Sequence, residues 1–147
     1  MRLRILAIVA IVAAAFAVAV VAVASTSANG LPSYTNGYAK WPKVNKKPFT
    51  STDPLSSAHA GVKNVYASKK KVGKRYPNGT VIVKSIRRAG DTASRPTQVA
   101  VMRKTSGKWR YIEYELSGTR YRDLRFSQQL CQGCHMQARA NDFVFTK

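Results

Sequence analysis

The stretch between residues 80 and 116 has the periodicity of β-strands and no helical period, and it constrains the fold of this 147-residue chain most strongly. Three runs rich in β-branched and aromatic residues are predicted to be strands: residues 80–86, 97–104 and 109–116. Turn signals, Pro-Asn-Gly and Thr-Ser-Gly, precede the first run and follow the second. Successive strands joined by short turns predict an antiparallel sheet, so we expect a mainly β (α+β) domain with a few short helices.

The segments around these strands are less regular. Residues 29–46 are rich in Asn, Gly, Pro and isolated aromatics, which predicts an irregular lead-in to a single domain at residues 47–147. Residues 62–67 mix apolar and polar side chains, and the charged connector at 68–74 is expected to extend a short helix there. A second helix is predicted around residues 127–139.

Near the end of the chain, Cys131-Gln-Gly-Cys134-His135 forms the C-x-x-C-H pattern, in which two thiols add to the haem vinyl groups and the imidazole reaches the iron. A thioredoxin-like redox pair would need a βαβ context instead. A zinc site would need a ligand beyond these three residues, and His59 is the only other histidine. We therefore predict one covalently attached haem c with His135 as its axial ligand, carried by the C-terminal helix against the sheet.

Few residues could occupy the opposite side of the iron. Met1 lies at the start of the chain, and Met136 adjoins the proximal ligand and cannot reach round the ring. His59 and Met102 remain as candidate sixth ligands, with a surface loop and core packing as their alternatives. An open distal face is expected, which favours ligand binding or chemistry at the iron over pure electron transfer.

The first 28 residues have the pattern of an export segment. A short basic start precedes an uninterrupted apolar run at residues 5–24, and small residues follow it. Cleavage as a signal peptide and retention as an inner-membrane anchor both remain open, because twenty apolar residues are just enough to span a bilayer. Either outcome predicts a periplasmic domain.

The charge is strongly basic, with 25 Lys and Arg against 6 Asp and Glu and a formal net charge of +19. Such a charge attracts anionic surfaces. The basic residues are scattered, with a single run of three at residues 69–71, whereas nucleic-acid-binding modules carry a denser basic stripe. We expect an acidic redox partner, another cytochrome, and no nucleic acid.

Several segments resemble the cytochrome P-460 family and its sibling branch, cytochrome c′-beta. They are K-P-F at 47–49, N-V-Y at 64–66, Y-P-N-G-T-V-I-V-K at 76–84, W-R-Y at 109–111, the C-x-x-C-H pattern and the tail N-D-F-V-F-T at 141–146. The resemblance covers most of the chain after the leader. It implies a β-rich periplasmic homodimer with a five-coordinate haem.

The resemblance also implies roles for two residues. Members of the P-460 branch carry a lysine cross-linked to a haem meso carbon, and the matching position here is Lys84. In the c′-beta branch phenylalanines cap the distal face, and Phe49 is the candidate for that role. The residues themselves allow plainer interpretations, a lysine that reaches solvent and a core aromatic.

Members that oxidise hydroxylamine resemble one another in a distal carboxylate between the lysine and the haem motif. The acids in that interval are Asp91, Glu113, Glu115 and Asp123. Glu113 and Glu115 share a strand face with Trp109 and Tyr111, so one of them could point at the haem, and Glu113 is the candidate base. A solvated strand face is the alternative.

Three functions follow from these observations. The chain could oxidise hydroxylamine, and nitric oxide, with electrons passed to another cytochrome. It could instead bind or scavenge nitric oxide under an apolar lid. A basic electron carrier that docks on acidic partners is the third.

Overall fold

The fold is a six-stranded antiparallel sheet in which each strand pairs with the next along the chain. The computed structural model describes residues 26–50 and 59–146. The strands are β1 (Phe49–Thr50), β2 (Val62–Ala67), β3 (Val81–Arg87), β4 (Gln98–Thr105), β5 (Lys108–Ser117) and β6 (Arg120–Asp123). The predicted mainly β fold is confirmed. Most of the predicted export segment, up to residue 25, lies outside the described residues.

The three central strands follow the prediction closely, but residues 62–67 form strand β2 and not a helix. All six residues of β2 are buried, including Lys63 and Asn64. The connector at 68–74 continues into a tight bridge between Val72 and Arg75 in place of the expected helix. A strand that is covered on both faces lacks the alternation of apolar and polar residues that indicates a strand. The sequence of residues 62–67 therefore did not predict β2.

Each face of the sheet packs against a different part of the chain. On one face, Leu31 and the aromatic residues of the lead-in segment cover a core cluster of the sheet. The lead-in segment contains two 3-10 turns, Ser33–Thr35 and Tyr38–Lys40. On the other face, a cluster that includes Tyr111 and Met102 packs against the end of the chain. The haem motif and the tail therefore lie on the second face.

The motif lies on helix α1 (Gln128–His135), which is followed by a 3-10 turn, Met136–Asn141. Ser127 caps the helix start, where its Oγ accepts a hydrogen bond from the backbone N–H of Leu130. The Gln128 side chain accepts from the N–H of Tyr111 at 2.9 Å and donates to the carbonyl of Tyr111 at 2.5 Å. This pair of bonds fixes α1 against β5. Within the described residues, none of the helices is long and apolar enough to cross a membrane.

A buried ion pair holds the tail after α1. Asp142 adopts a left-handed conformation, φ 54°, and its Oδ2 lies 2.7 Å from the Nζ of Lys104 at the end of β4. The same oxygen accepts the N–H of Tyr76 at 2.8 Å. The tail is thereby turned back over the sheet toward the motif helix.

Candidate functional site

A cavity of about 590 Å³ lies between the sheet and the C-terminal helix and tail. Its volume is within the range of about 300–1,000 Å³ that is usual for cofactor sites. It is lined by every residue to which the sequence assigned a role: Phe49, Lys84, Glu113, Cys131, Cys134 and His135. The two alternative iron ligands, His59 and Met102, line it as well.

His135 is buried and its ring is fixed on three sides. Its Nδ1 lies 2.6 Å from the carbonyl oxygen of Phe143, and since a carbonyl can only accept, Nδ1 carries the proton. Tyr111 and Phe145 pack against the ring with centroid distances of 4.7 and 5.1 Å. Burial lowers the pKa of His135 to about 4. The imidazole is therefore neutral at physiological pH, and Nε2 keeps the lone pair that a metal ligand needs.

The two cysteines of the motif lie three positions apart on α1 and both are free thiols. That spacing places them on neighbouring positions of the helix surface. Cys131 is partly buried against the core cluster of the cavity face, whereas Cys134 is exposed. Burial, and secondarily the charge of Glu113, raises the pKa of the Cys131 thiol. Both sulfurs thus stand beside the cavity as reduced side chains.

Lys84, Ala100 and Glu113 form a row across the sheet, because Lys84 pairs with Ala100 and Ala100 pairs with Glu113. The small side chain of Ala100 leaves open space between the two charged residues. Burial lowers the pKa of Lys84 to about 8, and the nearby charge of Lys63 acts in the same direction. The row gives an otherwise largely apolar cavity a cation and a carboxylate on one wall.

The carboxylate of Glu113 has a partner that the sequence did not predict. Its Oε1 lies 3.4 Å from Nδ1 of His59, with 6% of the Glu113 side chain and 23% of the His59 side chain exposed. Within the described residues neither atom makes a hydrogen bond of good geometry. Buried polar atoms are rarely left unsatisfied in native structures. The pair therefore offers hydrogen-bonding atoms to a molecule bound at this wall.

The remaining predicted residues separate into two groups. Met102 belongs to a core cluster, and Phe49, which is partly buried, packs against that cluster; both also line the cavity. The other acids of the interval do not line the cavity: Asp91 is partly exposed, and Glu115 and Asp123 are exposed. Of the four acids considered, Glu113 alone reaches the site.

These residues fit a haem. The motif supplies two thiols and a neutral imidazole beside an apolar cavity of suitable size, and the wall opposite contributes Lys84 and Glu113. No curated protein sequence matches this chain significantly. The family described as Cytochrome P460 matches residues 35–146, most of the chain, which confirms the resemblance inferred from its segments. The chain belongs to the cytochrome P460 family of haem-binding c-type cytochromes.

Proposed function

We propose that this protein is a monohaem cytochrome that oxidises hydroxylamine and passes the electrons to another redox protein. In this proposal Cys131 and Cys134 attach one haem c covalently and His135 is the axial ligand. When bound, the haem supplies a redox-active iron that withdraws electrons from a small nitrogen compound. The chain's own residues hold the haem, shape the distal pocket and move protons.

The observation that carries the proposal is the buried carboxylate of Glu113 on the cavity wall, whose Oε1 lies 3.4 Å from His59 without forming a hydrogen bond to it. Hydroxylamine must lose protons as it is oxidised, and a proton acceptor within the pocket accelerates such a step by about 100- to 10,000-fold. Glu113 Oε1 is buried, lines the cavity and has no hydrogen-bond partner among the described residues. His59 lies 3.4 Å from this carboxylate and is more exposed than it, 23% against 6%, and in this proposal it carries the proton outward. Because His59 contacts Glu113 in this proposal, it does not act as the sixth ligand of the iron, which stays five-coordinate.

Lys84 has the reactivity that a covalent bond to the haem edge needs. An amine is a nucleophile only when neutral, and a pKa of about 8 makes the neutral form far more abundant near pH 7 than for an exposed lysine. Its position on the cavity wall supports the cross-link implied by the family resemblance. We include this Lys84 cross-link in the proposal. Joining the amine nitrogen to a meso carbon removes one N–H and one C–H hydrogen as two protons and two electrons, so the step requires a two-electron oxidant such as a peroxide.

Nitric oxide binding without turnover is the second candidate, and the apolar part of the cavity favours it. Phe49, Val144 and Phe145 line the pocket, and such a lining disfavours water and anions relative to a small neutral ligand. The same five-coordinate iron would serve either function. The two functions differ in whether the protein turns over hydroxylamine.

The periplasmic location and the homodimer remain part of the proposal. The location rests on the apolar run at residues 5–24 and the homodimer on the family resemblance.

The decisive experiment substitutes the carboxylate. We expect Glu113→Gln in the haem-loaded protein to lower kcat for hydroxylamine oxidation by about 100- to 10,000-fold, because the amide cannot accept the proton. Nitric oxide affinity, measured by optical titration, should change little. Glu115→Gln is the matched control, since Glu115 is exposed two positions along the same strand.

Two results would contradict the catalytic proposal. One is equal activity in Glu113→Gln and Glu115→Gln. The other is a wild-type protein that binds nitric oxide with a five-coordinate haem but never turns over hydroxylamine, which would support the binding function instead.

A further inference from the structure

A basic hairpin projects from the sheet between β2 and β3. It consists of residues 69–75, with five cations and no acid in seven residues: Lys69, Lys70, Lys71, Lys74 and Arg75. The backbones of Val72 and Arg75 bond to each other in both directions at 2.8 and 3.3 Å, and Gly73 turns the chain between them with φ 59°. Val72 is 74% exposed at the tip. The hairpin therefore presents one apolar side chain surrounded by cations.

The cations of the hairpin differ in their surroundings. Lys71 donates to Oδ1 of Asn141, and Lys69 donates to the carbonyl of Asn78 at 3.0 Å. Lys70, Lys74 and Arg75 are exposed. Among the described residues no acidic side chain forms an ion pair with these three. Their charge is thus available to a partner.

The hairpin is joined to the haem motif through the tail. Lys71 contacts Asn141, and the carbonyl of Phe143, two residues further on, lies 2.6 Å from Nδ1 of His135. Tyr76, which follows the hairpin, donates its N–H to Asp142 and belongs to the core cluster against which Cys131 packs. A molecule seated on the hairpin would be separated from the axial ligand by a short series of contacts.

Two further connections with arginines beside them, between β3 and β4 and between β5 and β6, are at the far end of the sheet. Because neighbouring strands are antiparallel, the turn between β4 and β5 lies at the hairpin's end, and Gly107 there donates to Asn78 at 2.8 Å. The connections between β3 and β4 and between β5 and β6, with Arg88 and Arg120 beside them, lie at the opposite end. Net charge is spread over the molecule, but in the part of the chain that the structure describes, hydrogen bonds join the hairpin end to the tail that holds His135.

We propose that residues 69–75 form the docking surface for an acidic redox protein that takes electrons from the haem. This inference rests on the proposed function. Charge complementarity steers the partner to the hairpin, and Val72 supplies the apolar contact that becomes desolvated at the centre of the interface. The hairpin contacts Asn141, two residues before Phe143, whose carbonyl holds His135, and in this proposal electrons leave the haem on this side.

The test compares two variants that each exchange two cations for two acids. Lys70→Glu with Lys74→Glu alters the hairpin, and Arg88→Glu with Arg120→Glu is the control at the other end. Oxidation of the reduced haem-loaded protein is followed by stopped flow with anionic ferricyanide and with the cationic tris(phenanthroline)cobalt(III) complex. Polyglutamate serves as a soluble acidic competitor for the docking surface.

We expect the hairpin variant to slow oxidation by ferricyanide by about tenfold or more at low salt and to speed oxidation by the cobalt complex. The control variant should show a much smaller change in both rates. These differences should disappear near 1 M salt, where the screening length is about 3 Å. Polyglutamate should slow the ferricyanide reaction of the wild type and the control but not of the hairpin variant.

Equal effects in the two variants would overturn the proposal, since they would reflect net charge alone. Loss of binding to phosphatidylglycerol vesicles in the hairpin variant, with its polyglutamate response unchanged, would also overturn it in favour of a lipid surface. A wild-type protein that reacts with neither oxidant would instead show that the proposed redox function has failed, and the docking proposal with it.

Discussion

Lys84 is almost completely removed from water in the middle of the sheet, and the chain stabilises it only in part. Glu113 lies on the same wall and favours the charged form, but burial and Lys63 outweigh it, so the pKa falls to about 8. A buried lysine with a lowered pKa destabilises the fold at any pH where it is charged in the unfolded chain. We infer that the position is kept for its chemistry at the haem edge.

This cost predicts a pH-dependent effect of Lys84→Met before haem is attached. The unfolded lysine titrates near 10.5 and the folded one near 8. Below pH 8 the full penalty is present, so the variant should be more stable than the wild type by up to about 3 kcal/mol. The gain should shrink as pH rises from 8 toward 10.5, because the folded amine is by then already neutral.

Urea unfolding at several pH values measures this difference. Lys70→Met is the matched control, since Lys70 is exposed and should give a small, pH-independent change. A Lys84→Met gain that stays constant between pH 7 and 10 would contradict the account.

The strand periodicity predicted part of this wall. Alternation placed Glu113 and Glu115 on the face of Trp109 and Tyr111, and the structure has Glu113 in the cavity. Glu115 lies nearer the end of β5 and is exposed. Periodicity predicts which face a side chain lies on, but not how far along the strand that face is covered. The pairing of Glu113 with His59 could not be predicted, because it joins residues far apart in sequence with no shared local pattern.

At the scale of elements, the C-terminal tail depends on the ion pair between Lys104 and Asp142. Both side chains are about 5–6% exposed, and the Oδ2 of Asp142 also accepts the Tyr76 N–H. The pair fixes the tail at the residue before Phe143, whose carbonyl orients His135. Strand β4 therefore influences the orientation of His135 through the tail.

We predict that Asp142→Asn destabilises the protein by about 3–5 kcal/mol, because it leaves the buried Lys104 charge without a counter-ion. Asn tolerates the left-handed conformation at this position, so the backbone contributes little to the loss. The double variant Asp142→Asn with Lys104→Met removes the unpaired charge and should recover most of the stability. Denaturant unfolding of the single and double variants measures both effects, and equal losses in the two would refute the ion-pair explanation.

Strand β2 marks the limit of element prediction. The β-branched runs predicted the strands at 81–105, and a helix was predicted around residues 127–139, whereas its cap at Ser127 was not predicted. Residues 62–67 contain a lysine and an asparagine inside a fully buried strand. Lys63 Nζ reaches the carbonyl of Gly61 at 3.2 Å, a contact that local composition does not reveal.

At the scale of the molecule, the two faces of the sheet have different roles: one packs against the lead-in segment and the other lines the cavity. The lead-in segment seals one face, which leaves the other face to form a cavity with the last twenty residues. The strands that precede the haem motif build the wall of the cavity that the motif helix faces. The basic hairpin contacts the tail through Lys71 and Asn141, and we propose it as the exit for electrons.

The attachment of haem through the motif tests the central claim most directly. The protein is expressed with its export segment in cells that mature c-type cytochromes, then unfolded in acidified butanone and digested, and its haem peptides are weighed by mass spectrometry. We predict that the haem stays with the peptide containing Cys131, Cys134 and His135 and that the Cys131→Ala, Cys134→Ala variant releases it. Complete extraction of haem from the wild-type chain, with an unmodified motif peptide, would contradict the account.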